Sequence, residues 1–110
     1  MNIYVHTRKK NEHEIQYFAL DDGKNELFRN TFLEEHSEVV EFIGCVHALM
    51  YLKKNNLYGD VYTYNEWVKY CVEQKKYKKN AKSEKGINAL RKAQLFLMDY
   101  RNTIIIYLNK

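Results

Sequence analysis

Apolar residues recur along this chain with two different periods, and the changes between them mark out its elements. From Met1 to Thr7, Ile3 and Val5 alternate with Asn2, Tyr4 and His6, which predicts a strand with one apolar side. Arg8 to Glu14 is a charged turn. Ile15 to Leu20 predicts a second strand with Ile15, Tyr17 and Ala19 on one side. Asp21-Asp22-Gly23-Lys24-Asn25 is a turn sequence in which Gly23 can take a positive φ. Glu26 to Phe32 predicts a third strand, with Leu27, Arg29 and Thr31 opposed to Phe28, Asn30 and Phe32. Short strands joined by polar turns make an antiparallel meander.

The period then lengthens. Val39, Phe42, Ile43, Val46, Leu49, Met50 and Lys53 repeat at helical spacing behind Ser37 as N-cap and Glu38 in the first turn. Gly44 costs this helix about 1 kcal/mol relative to Ala, but with Ala48 it offers a flat patch for close approach to a sheet. Asp60 to Thr63 predicts a fourth, very short strand, parallel to the first because it follows a crossover helix. A second helix is expected from Glu66 to about Lys76, with Trp67, Tyr70, Cys71 and Gln74 on one face. A third runs from about Gly86 to Tyr100, with Ile87, Leu90, Ala93, Leu97 and Met98 at helical spacing. Tyr77 to Lys85 is a lysine-rich loop. Thr103 to Leu108 is a continuous apolar run that fits a central or covered strand.

The order is βββαβααβ, without an internal repeat, linker or composition break, so residues 1–110 read as one α/β domain. At this length a chain buries roughly 60–70% of its unfolded surface, enough for helices on one sheet. Cys45 and Cys71 lie in amphipathic helical stretches, not in a Cys-x-x-Cys pair, and are expected as buried thiols in a reducing cytosol. No signal peptide is legible and no apolar run approaches the ~20 residues that span a bilayer, so a cytoplasmic, membrane-free protein is expected. The net charge of +4 alone barely favours nucleic acid. The ten Tyr and the Lys/Asn-rich usage are as well explained by an AT-rich genome as by chemistry.

Three local patterns, in order, resemble ribonuclease H. Glu41-Phe42-Ile43-Gly44-Cys45-Val46-His47-Ala48-Leu49 is similar to the family's first helix, where a catalytic Glu precedes apolar residues and a late Ala-Leu. Val61-Tyr62-Thr63-Tyr64-Asn65-Glu66-Trp67-Val68 resembles its fourth strand running into its second helix, where members have Thr-Asp-Ser. Asn88-Ala89-Leu90 through Ile106 is similar to the last helix and fifth strand. The resemblance covers nearly the whole chain and implies a ribonuclease H-like mixed five-stranded sheet with helices packed on it and the C-terminal helix missing.

The family holds two divalent ions in a cage of carboxylates, one ion generating the attacking hydroxide and the other stabilising the leaving oxygen. The resemblance puts its acidic positions on His6 in the first strand, Glu41 in the first helix and Tyr64 after the fourth strand; the last lies on the missing helix. Glu41 alone is retained. A one-residue slip in the first strand offers Val5 or Thr7, neither acidic. Asp60 lies about 13 Å from Tyr64 along its strand, and Asp21 and Asp22 lie in a turn. No two-metal site and no resident cofactor are therefore expected. His6, Glu41 and Tyr64 would still cluster, either as a remodelled pocket or as decayed positions on a solvated surface.

The remaining signal is basic. Lys69, Lys75, Lys76, Lys78, Lys79, Lys82 and Lys85 form a segment broken by Tyr70, Tyr77 and two Glu. Some ribonucleases H carry a basic, aromatic-containing protrusion at this place that grips the nucleic-acid backbone. Lys would neutralise phosphate and Tyr77 could stack on a base or sugar; the alternative is a solvated lysine loop. Trp67 reads as core. His13, His36 and His47 have no metal spacing with the cysteines and read as surface or satisfied histidines. No catalytic triad or phosphate loop is present. Three functions follow: an inactive ribonuclease H-like module that binds nucleic acid, hybrid or duplex, or a nucleic-acid-bound partner; an active nuclease using Mg²⁺ or Mn²⁺ at an atypical or partner-completed site; or a protein-interaction or homodimer module.

Overall fold

The computed structural model describes all residues except Gly23, Lys78 and Lys110, so the expected positive φ of Gly23 lies outside the described residues. The elements are β1 (Ile3–Lys9), β2 (Glu14–Leu20), β3 (Glu26–Leu33), α1 (Ser37–Lys54), β4 (Val61–Thr63), α2 (Glu66–Glu73), α3 (Glu84–Asp99) and β5 (Ile106–Leu108). The five strands form one mixed sheet in the order β3-β2-β1-β4-β5. β1–β2 and β2–β3 are antiparallel, and β1–β4 and β4–β5 are parallel. The element order is the one expected from the period changes, and the mixed five-stranded sheet is the one the resemblance implies.

The alternation of β1 and β2 decides which face is covered. Ile3, Val5, Ile15, Tyr17 and Ala19 are buried against α1, which crosses β1, β2 and β4 and touches both other helices. Gly44 lets α1 come this close: a Cβ there would stand 2.8 Å from both Tyr17 Cγ and Val5 Cγ1. α1 is buried continuously from Val39 to Val46 because the sheet takes one side and α2 and α3 take the others. α3 packs mainly on α1, through Gly86, Leu90, Ala93 and Leu97.

Four expectations are corrected. His36, not Ser37, occupies the N-cap of α1, and its side chain makes no capping bond. β5 is not a central strand: it is three residues long and lies at the sheet edge, so Ile104 and Ile106 are buried while Ile105 and Tyr107 face out. Ile87 and Met98 of α3 are exposed, because that helix packs mainly on α1 and turns these two residues away from it. α2 ends at Glu73 and buries Val68, Cys71 and Val72, leaving Trp67 half-buried and Tyr70 exposed with the two rings stacked. Lys75 N–H donates to Val72 O and Lys76 N–H to Cys71 O, with Lys75 at φ 59°, a left-handed stop that closes the helix three residues before the predicted end.

Glu35 joins the start of α1 to the start of α3. Its carboxylate accepts from Lys82 N–H (2.9 Å), Ser83 N–H (2.9 Å), Ser83 Oγ (2.8 Å) and His36 N–H (3.0 Å). Partial burial pushes its pKa up, but these donors outweigh it and hold the carboxyl below its usual range. A Cβ on Gly86 would sit 2.1 Å from Glu35 Oε2, so a glycine belongs there. Cys45 and Cys71 are both buried, as expected. Among the described residues no helix is long and apolar enough to cross a membrane.

Candidate functional site

The C-terminal end of β4 brings together His6, Glu41 and Tyr64. Glu41 is in the second turn of α1 and only 7% exposed. Its Oε2 accepts a short hydrogen bond from Thr63 Oγ1 and a second from Tyr64 N–H at 3.2 Å. Thr63 Oγ1 in turn accepts from Asn65 N–H at 3.3 Å, and the Asn65 side chain caps α2 by accepting from Val68 N–H at 3.0 Å. The carboxylate is thus wired into the strand-to-helix turn, and burial of this kind requires such donors.

His6 lies on the other side of the sheet plane from the helices. Its ring is 4.7 Å from the Tyr64 ring and stacks on Phe18 at 5.0 Å with planes 7° apart. Partial burial lowers the imidazole pKa, and the negative charge of Glu41 opposes but does not cancel this. Tyr64 is 47% exposed and its hydroxyl accepts from Asn109 Nδ2 at 2.9 Å. Burial and the Glu41 charge push the Cys45 thiol pKa up, more than its hydrogen bond with Thr63 lowers it.

These residues do not fit a pair of divalent ions. Hard cations need several oxygen ligands each, with carboxylates to balance charge. Here one carboxylate is present, and its Oε2 is already committed to Thr63 and Tyr64. Among the described residues, no group of three or more His, Cys, Asp or Glu is arranged to hold a metal ion. Asp60 stands just before β4, at the far end from Tyr64, and Asp21 and Asp22 serve the β2–β3 turn and Asn2.

The lysine segment is more structural than its composition implies. Lys69 pairs with Glu73 at 2.8 Å and Lys79 with Glu38 at 3.1 Å. Lys75 Nζ donates to the carbonyls of Tyr100 (2.5 Å) and Asn102 (3.1 Å). Lys85 is in the first turn of α3 and donates to Asn30 and Thr31. Tyr77 is 5% exposed and packs on Phe42 at 4.7 Å, so its ring has no free face for stacking on a base. Lys76 and Lys82 are exposed. Lys78 lies outside the described residues.

Sequence reasoning passed over Thr63 and Phe18. The inward parity of Val61 and Thr63 was a signal for Thr63. Phe18 had none, because its place beside His6 depends on the β1–β2 register, in which His6 faces Phe18. Of the other histidines, His13 Nδ1 lies 2.5 Å from Glu34 Oε1, His47 Nδ1 shares a short hydrogen bond with Tyr17 Oη, and His36 is on the surface.

No protein-family profile and no curated protein sequence matches this chain. Solved structures do. It is similar to LC11-RNase H1, isolated from compost by a metagenomic approach, at 18% identity and a TM-score of 0.53 over 98% of this chain and 82% of that one. The same enzyme, solved in complex with an RNA/DNA hybrid, matches at 17% identity and a TM-score of 0.56, covering 98% and 83%. RNase H1 from the halophilic archaeon Halobacterium salinarum matches at 9% identity and a TM-score of 0.57, covering 99% and 85%. With identities this low the likeness concerns architecture alone: the chain has a ribonuclease H-like fold, over nearly its full length.

Proposed function

We propose that this chain is a catalytically inactive ribonuclease H-like module that binds nucleic acid, or a partner already on nucleic acid, through the lysine segment. The observation that carries the loss of catalysis is the commitment of Glu41 to Thr63 and Tyr64, with His6 and Tyr64 where acidic ligands would be needed. Nucleic-acid binding is supported by the solved complex of a fold neighbour with an RNA/DNA hybrid and by exposed Lys76, Lys79 and Lys82 between α2 and α3. Lys79 adds to these two because a surface pair such as Lys79–Glu38 is worth under about 1 kcal/mol and opens readily.

The test is a titration of an RNA/DNA hybrid against salt. Log affinity should fall linearly with log salt, and Lys76→Ala with Lys82→Ala should reduce that slope by about 2, one per lost phosphate contact. The hybrid should remain uncut with Mg²⁺ or Mn²⁺. Cleavage that disappears on Glu41→Gln would replace this reading with the active nuclease.

A further inference from the structure

The face of the sheet turned away from the helices carries two aromatic rows. In the first, Tyr107, Tyr62 and Tyr4 lie side by side across β5, β4 and β1, in register, with ring centroids 5.3 and 4.5 Å apart. In the second, Tyr64, His6 and Phe18 follow at 4.7 and 5.0 Å, and the Arg8 guanidinium lies 5.0 Å from the Phe18 ring centroid. Arg29 stands opposite Phe18 on β3 and pairs with Glu26. Both rows end toward the β5 edge in a tyrosine nearly half exposed, Tyr107 at 40% and Tyr64 at 47%.

Cross-strand aromatic pairs stabilise a sheet, which accounts for the inner members of each row. It does not account for rows that run on to exposed tyrosines at the margin, where Tyr107 lies tilted against Tyr62 and Tyr64 against His6. Such a ring offers its exposed face to a planar, apolar-faced group, and a nucleobase is that group. The charges favour a polyanion along the second row. Its far end carries Arg8, with Arg29 beside it paired to Glu26, whereas the carboxylates Asp60 and Asp22 act on Tyr62 in the first row. Glu41, beneath His6, is buried.

We propose that this open face binds single-stranded nucleic acid, with bases stacked on Tyr64 and Tyr107 and the backbone directed toward Arg8. The surface is distinct from the lysine segment, and so is the ligand. Half-exposed rings receive an unstacked base, which a single strand offers and a hybrid duplex withholds. The proposal stands whether or not the lysine segment grips a hybrid.

The experiment is fluorescence anisotropy with a labelled oligothymidylate and an abasic oligomer of equal length, at one salt concentration. Oligothymidylate should bind at least roughly tenfold more tightly than the abasic chain, and Tyr64→Ala with Tyr107→Ala should erase that advantage. Tyr64→Phe with Tyr107→Phe should restore it, since the ring and not the hydroxyl stacks. Arg8→Gln should weaken both oligomers alike. If the alanine pair does not fold by circular dichroism, Tyr107→Ala alone carries the same comparison. Equal affinity for the two oligomers, no single-strand binding, or a dimer that the alanine pair dissociates would overturn the proposal, the last by showing the face covered by a second copy. Lys76→Ala with Lys82→Ala should leave the base-dependent advantage intact, which separates failure here from failure of the lysine reading.

Discussion

On the side of the sheet turned to the helices, Ile3, Val5, Tyr17, Ala19, Phe32, Val61 and Ile106 are buried to within a few per cent, and a glycine in α1 admits them. On the other side, the same strands present Tyr4, His6, Phe18, Tyr62 and Tyr107 in rows that stay partly exposed. The covered side is close-packed and mostly aliphatic, so it tolerates no added or removed volume. The open side is aromatic with cations at one corner, so it loses little when one ring goes. The close-packed and the partly exposed aromatic residues are thus divided between two faces of one sheet, and a β-strand makes that division natural because alternate residues never share a face.

The sharpest way to break this comparison is to remove one phenyl ring from each side. Phe32→Ala, on the covered side, should cost about 3–5 kcal/mol in urea unfolding. Phe18→Ala, on the open side, should cost about 1 kcal/mol, the scale of one cross-strand pair. Equal losses would mean the open face is as load-carrying as the other. Next in size, Gly44→Val should destabilise by about 3 kcal/mol, because its Cβ falls within 2.8 Å of Tyr17 and Val5 and neither has room to move. Glu41→Ala should cost about 2 kcal/mol by stranding the Thr63 hydroxyl and Tyr64 N–H. Glu41→Gln keeps an acceptor oxygen there and should cost less than about 1 kcal/mol.

The smallest effect expected is a pH dependence. Burial lowers the pKa of both His47 and His6 below the ordinary 6.5. Below 6.5 the unfolded chain therefore binds protons that the folded chain refuses, and stability falls as pH falls. The contribution is fully present above 6.5 and is lost as pH drops through the lowered folded values. Urea melts from pH 8 to 5 should show this slope, and His47→Gln should flatten it. A slope unchanged by that substitution would assign the effect to other groups.

The members of the candidate site were legible through the resemblance, laid on elements that local spacing had marked out. Glu41 stands in the second turn of a helix and Tyr64 just past a strand, and both positions follow from the resemblance once the elements are counted. What Glu41 does there was not legible. Its partners Thr63 and Tyr64 are more than twenty residues away, and the bond forms only because α1 crosses β4 at that turn. Which lysines of the basic segment stand free was not legible for a related reason. Composition shows seven cations in a short stretch, but Lys75, Lys79 and Lys85 find carbonyls or a carboxylate on elements distant in the chain. Tyr77, read as an outward ring, turns in to meet Phe42.

The sequence by itself determined the order of strands and helices, the turns between them, and the inward side of β1 and β2, because a period of two or of 3.6 residues is a property of neighbours along the chain. Only the tertiary structure decided that β5 lies at an edge, that Ile87 and Met98 of α3 stay outside, and that two aromatic rows line up across separate strands. An apolar side chain is buried only where another element arrives to cover it, and strand order, register and helix docking settle that through contacts between residues far apart in sequence.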